Sequence, residues 1–136
     1  MFGAALLFIR PVAKGAAMSV LFIEYPPCST CKKAKRWLDE HGVEHVDRHI
    51  VDDAPTMQEL VAWRERSGLP VRRFFNTSGK RYRELGLKDK LDAGMADEEA
   101  FELLASDGML IKRPIVVTDD VVLVGFRQAE WEEALL

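Results

Sequence analysis

Cys28-Ser29-Thr30-Cys31 contains the only two cysteines of the 136-residue chain. The pair follows an apolar run, Val20-Leu21-Phe22-Ile23-Glu24-Tyr25, and a Pro26-Pro27 break. A helical pattern comes next, with Ala34, Trp37, Leu38 and His41 on one face. A thiol at such a strand-to-helix junction meets the free N–H groups and the positive dipole end of the helix, which lower its pKa. More thiolate at neutral pH makes a better nucleophile. The second sulfur, one helical turn on, is close enough to resolve a bond formed on the first. Lys32, Lys33, Lys35 and Arg36 follow at once and add positive charge. The pair therefore reads as redox-active or nucleophilic. Two blander readings stand beside this one. Inert packing disagrees with a turn between Pro-Pro and a Lys-rich helix start. Zinc would need two more ligands, and there is no second CxxC. His41, His45 and His49 recur every four residues, but Gly42 separates the first from the strand carrying the other two, so they read as polar surface or strand-end residues.

Arg113-Pro114 is the second constellation. A proline just before a β run fits a strand start. The sharper reading is a cis-proline loop facing the cysteines, where Arg113 offers a permanent charge and several donors to a thiolate or a bound oxyanion. The third is the stretch from Arg64 to Lys90, with nine basic residues against three acidic ones, Glu65, Glu84 and Asp89. A solvated face is its default reading, and a site for an oxyanion or an acidic partner is the alternative. Arg127 is a further candidate cation for the site.

These residues need elements to hold them. The run 20–25 reads as a buried central strand, and 29–41 as a helix closed by Gly42. Val43 to Val51 reads as a second strand, parallel to the first because a helix connects them. Thr56-Met57-Gln58-Glu59 has capping-box spacing and opens a helix with Met57, Leu60, Val61 and Arg64 on one side. Short helices and loops are expected from Val71 to Leu91, and another helix from Asp97, with Phe101, Leu104 and Ala105 inward. Ile115-Val116-Val117 and Val121-Val122-Leu123-Val124 flank a hairpin signal. A last short helix holds Trp131 and Leu135. The order β-α-β, helical middle, β-β-α predicts an α/β fold with one mixed four-stranded sheet covered by helices on both faces.

Bulk properties narrow the function. A composition 48% hydrophobic suffices for one core. A net charge of −3 argues against a chain that coats nucleic acid by charge, so no direct nucleic-acid contact is expected. Two cysteines are too few for a disulfide scaffold, and a CxxC beside a βα pattern points to a reducing compartment, the cytoplasm. No apolar run approaches the roughly 20 residues that span a bilayer. Residues 1–17 resemble a short signal core with the wrong charge order, since Arg10 and Lys14 come after the apolar stretch. They are expected to be an extension or a disordered tail, with the domain covering 18–136.

Four segments together resemble the arsenate reductase (ArsC) family and its Spx and MgsR relatives: Tyr25-Pro26-Pro27-Cys28-Ser29-Thr30-Cys31-Lys32-Lys33-Ala34, Trp37-Leu38-Asp39-Glu40-His41-Gly42, Tyr82-Arg83-Glu84-Leu85-Gly86-Leu87 and Ile111-Lys112-Arg113-Pro114-Ile115-Val116-Val117. The resemblance runs from Met18 to Leu136 and implies a thioredoxin-like fold with a helical insertion. It implies that Cys28 attacks an oxyanion held by arginines. Arg113 falls on one of them, Arg127 lies one residue from another, and Asn76 stands at the third. Ser29, Thr30 and Pro114 would line the same place. Cys31 departs from the glutaredoxin-coupled reductases and is similar to the redox switch of Spx-type regulators. There, an arginine matching Arg113 senses the disulfide, and a glycine near the position of Gly68 contacts RNA polymerase. Gly68-Leu69-Pro70 departs from that contact segment.

The first reading is thus a thiol-dependent oxidoreductase, with Cys28 as nucleophile and Cys31 as resolving cysteine. It would hold no bound cofactor, and glutathione, glutaredoxin or thioredoxin would supply electrons. The alternative is an Spx/MgsR-type redox regulator that binds RNA polymerase. A catalytically idle binding module is the third.

Overall fold

The computed structural model describes residues 19–136; the extension proposed for residues 1–17 lies outside them. Strand β1 (Leu21–Glu24) leads to helix α1 (Ser29–Glu40), then to β2 (Val46–His49) and α2 (Met57–Ser67). A 3-10 turn (Val71–Phe74), α3 (Lys80–Glu84), α4 (Leu87–Asp92) and α5 (Asp97–Ser106) form the helical middle. A second 3-10 turn (Gly108–Leu110) precedes β3 (Ile115–Val117), β4 (Val122–Val124) and α6 (Gln128–Leu135). The strands form one mixed sheet in the order β2-β1-β3-β4. β2 runs parallel to β1, and β3 and β4 run antiparallel to their neighbours, as the connections require.

Side chains alternating along β1 divide the core into two layers. Ile23 packs with Trp63, Phe74, Phe101 and Leu104 under α2 and α5. Phe22, on the other face, packs with Ala34, Trp37, Leu38 and Trp131 under α1 and α6. The sheet is therefore covered on both faces, as expected. Two details differ from the sequence reading. β2 keeps only Val46–His49 of the strand expected over 43–51, because it is an edge strand whose Val46 is 66% exposed. In α2 the buried residues are Leu60 and Trp63, while Val61 points outward at 36% exposure. Trp63 is one turn from Leu60 and carries the larger apolar area, so it sets the inward face.

The capping box at Thr56 forms in full: its hydroxyl accepts from the Glu59 N–H at 3.1 Å, and Glu59 accepts from the Thr56 N–H at 2.9 Å. Arg48 of β2 adds a two-pronged ion pair to the same carboxylate, both contacts 2.8 Å, which ties the sheet edge to α2. The Arg48 guanidinium first, then the Thr56 donors, outweigh burial and hold the Glu59 carboxyl down at about 2, against an ordinary 4.5. A depressed carboxylate contributes stability at pH above its unfolded value and loses it as pH falls through the folded one. The urea midpoint of the wild type is therefore expected to drop between pH 4.5 and about 2. Glu59→Gln should flatten part of that drop, and equal slopes for the two proteins would contradict this assignment.

Candidate functional site

Residue 28 is where the chain leaves the central strand and turns into α1. Pro26 and Pro27 are exposed and cannot extend β1. The Cys28 N–H closes the turn onto the Tyr25 carbonyl at 2.9 Å. Cys28 is then the N-cap of α1, in an extended conformation (φ −74°, ψ 127°), and its sulfur accepts from the Cys31 N–H at 3.5 Å. The cap position is normally filled by an oxygen acceptor. With sulfur there, the helix N–H groups stabilise the thiolate over the thiol. The first turn of α1 holds no acidic side chain to oppose this.

The sheet brings the second constellation to the same place. β3 pairs with β1 in the register Ile23↔Ile115. The residues before Ile115 therefore lie alongside the residues after Ile23. Arg113 reaches Tyr25 in this way, with its guanidinium carbon 5.0 Å from the ring centroid. The Arg113–Pro114 peptide is cis, and the buried Pro114 carbonyl accepts from the Gly125 N–H at 2.8 Å. Ser29 and Thr30 are exposed in the first turn of α1, next to the sulfur.

Both thiols are free, Cys28 half-buried and Cys31 buried. Burial alone pushes the Cys28 thiol up. The Cys31 N–H and thiol, the Arg113 guanidinium and the Thr30 N–H act the other way and together prevail, so its pKa lies below the ordinary 9.0. For Cys31, burial is the largest effect and pushes the thiol up to about 12. A backbone hydrogen bond at Tyr25 opposes it, the neighbouring Cys28 reinforces it, and the charge of Arg113 opposes it weakly. One environment thus separates two identical groups in acidity, and separated acidities assign separate roles. Cys28 is the more acidic and more exposed of the two sulfurs, and Cys31 is buried and protonated within the same helical turn.

For Arg127 and Asn76 the described partners are other residues. Arg127, at the N-cap of α6, faces Glu130 at 3.7 Å with its side chain 63% exposed. Among the described residues no hydrogen bond or ion pair joins it to Cys28, Cys31 or Arg113. Asn76 donates its N–H to the Leu110 carbonyl at 2.8 Å, and its side chain packs against Gly79. In the basic stretch, Arg64 pairs with Asp97, Arg72 and Lys88 with Asp92, and Arg81 with Glu84 and Asp107. Those pairings use Arg64, Arg72, Arg81 and Lys88 within the protein. Tyr25 is the site residue the sequence reading did not single out. Its aromatic ring immediately before Pro-Pro was the available signal.

A CxxC at the N-terminus of the first helix, on a mixed four-stranded sheet with a cis-proline loop beside it, defines a thioredoxin-like protein. The ArsC family model matches residues 23–134, and the chain belongs to that family. It is 53% identical over 116 residues to YusI of Bacillus subtilis (strain 168), covering 85% of this chain and 98% of that one. The regulatory protein MgsR of the same organism is 29% identical over 109 residues, 80% of this chain and 84% of its own. Among solved structures, an ArsC-family-related protein from Bacteroides fragilis superposes with a TM-score of 0.81 at 57% identity, covering 84% of this chain and 95% of the other. The arsenate reductase from Vibrio cholerae superposes with a TM-score of 0.75 at 29% identity, covering 88% and 99%. No helix of the described residues is long and apolar enough to cross a membrane.

Proposed function

We propose that this ArsC-family protein is a thiol-dependent oxidoreductase of the arsenate reductase type, working in a reducing, cytoplasmic setting. The observation that carries the reading is the Cys28 sulfur, which caps α1 beside the Arg113 guanidinium and is more acidic than an ordinary thiol. With an oxyanion such as arsenate, the Cys28 thiolate attacks the central atom, and an oxygen leaves as water after protonation. Arg113 is the cation that receives the charge of the incoming oxyanion. A second thiolate then attacks the Cys28 sulfur. The S–As bond breaks, its electron pair stays with arsenic, and As(V) becomes As(III) while the two sulfurs form a disulfide.

Cys31, one helical turn from Cys28, would supply that second sulfur. Once Cys28 is covalently bound, its negative charge, one of the influences holding the Cys31 proton, is gone. Burial remains, so the first turn of α1 must loosen before the Cys31 thiolate forms. Glutathione, glutaredoxin or thioredoxin would then return two electrons and restore the dithiol, with no bound cofactor. The test is turnover of arsenate by purified protein with each of these three donors. Thiol-dependent arsenite release supports the reading. No turnover, together with disulfide-dependent capture of RNA polymerase, would replace it with the regulatory reading suggested by the MgsR and Spx relatives.

A further inference from the structure

Arg113 is the cation beside Cys28, and apart from that sulfur few contacts fix its side chain. Its one described hydrogen bond runs from Nη1 to the Met109 carbonyl at 3.4 Å, beyond the usual range for an N–H donor. Besides the Cys28 sulfur it faces, its guanidinium lies on the face of Tyr25, 5.0 Å from guanidinium carbon to ring centroid. Tyr25 is itself braced. The His49 ring stands edge-on to it, centroids 5.9 Å apart and planes at 89°. His49 in turn is fixed by its own loop, because its Nδ1 accepts from the Val51 N–H at 3.1 Å and the Asp52 N–H at 3.0 Å. Two donors on Nδ1 leave the ring proton on Nε2, which faces Asp52 at 3.7 Å. The main chain of Tyr25 meanwhile holds the Cys28 turn through its carbonyl. One residue therefore touches the nucleophile's backbone and the cation beside the nucleophile.

We propose that Tyr25, braced by His49, is a positioning residue that aims the Arg113 guanidinium at the Cys28 sulfur. The proposal rests on the reading of Cys28 as the nucleophile. An aromatic face attracts a guanidinium and fixes its plane, which a single long hydrogen bond does not. Tyr25 acts through Arg113, so its effect must vanish when Arg113 is gone. A merely structural role would not behave that way.

The experiment is the rate of iodoacetamide alkylation at Cys28 as a function of pH, read by peptide mass spectrometry. It is run on the wild type, Tyr25→Leu, Tyr25→Phe, Arg113→Ala and the Tyr25→Leu/Arg113→Ala double variant. Tyr25→Leu should slow alkylation at neutral pH by about threefold, the size expected from losing one cation–π contact, with the alkaline plateau unchanged. Tyr25→Phe keeps the ring and should restore the wild-type profile. In the Arg113→Ala background, Tyr25→Leu should add nothing. An equal loss in both backgrounds, or no loss in either, overturns the proposal. Should Tyr25→Leu fail to fold, His49→Ala alone and with Arg113→Ala gives the same comparison, with the same two outcomes deciding. An ordinary thiol titration at Cys28 in the wild type would sink the nucleophile reading itself. A lowered wild-type titration that Tyr25→Leu leaves in place would sink only the positioning role.

Discussion

Cys28→Ser is expected to remove thiol-dependent turnover almost completely, by about a thousandfold or more, because no other group can take over a covalent step. A serine hydroxyl is small enough to occupy the N-cap and is a preferred cap residue, so α1 should form as before. The variant thus separates chemistry from folding. It should melt near the wild type while failing to form any covalent adduct. Cys31→Ser should behave differently. The first bond still forms on Cys28, and the protein then waits for an external thiol, so a Cys28 mixed disulfide with glutathione should accumulate and be visible by mass. A Cys28→Ser protein that still turned over would place the chemistry elsewhere. A Cys31→Ser protein with unchanged rate and no adduct would remove Cys31 from the resolving role.

Gly108→Ala is expected to destabilise the fold by about 3 kcal/mol, at the upper end of what overpacking costs. Gly108 is buried in the 3-10 turn after α5. A Cβ there would press on the main chain where β2 ends, 2.8 Å from the Ile50 carbonyl carbon and 3.1 Å from the Val51 Cα. Neither is the end of a flexible side chain, so the backbone itself must move. The displaced segments are those that brace the site, because Met109 accepts from Arg113 and Val51 donates to His49. The same variant should therefore also slow Cys28 alkylation near neutral pH. A urea midpoint within error of the wild type would contradict the close approach.

Much of this architecture can be read from the chain because local rules and tertiary structure agree. The capping box at Thr56 and Glu59 forms, Gly68 adopts the left-handed cap conformation (φ 71°), and the two β-branched runs pair as a hairpin. The placement of Cys28 at a helix N-terminus follows from one strand, one break and one helical stripe, all contiguous. What periodicity does not carry is long-range. Tyr25, His49 and Arg113 lie far apart in sequence and meet only because β1 has β2 on one side and β3 on the other. Val61 and Trp63 could each have faced inward by pattern, and the sheet surface chose the larger ring. Gly108 needs to be glycine only because the end of β2 passes against it. The one described partner of Arg127 is Glu130, at i+3 on α6.

One environment shifts two neighbouring sulfurs in opposite directions of acidity, and site-resolved alkylation of the native protein across pH measures this directly. Cys28 should reach half of its maximal rate below pH 9.0, with Cys31 still protected until the pH approaches about 12 or the fold opens. Equal titration of the two thiols, or earlier reaction at Cys31, would contradict it.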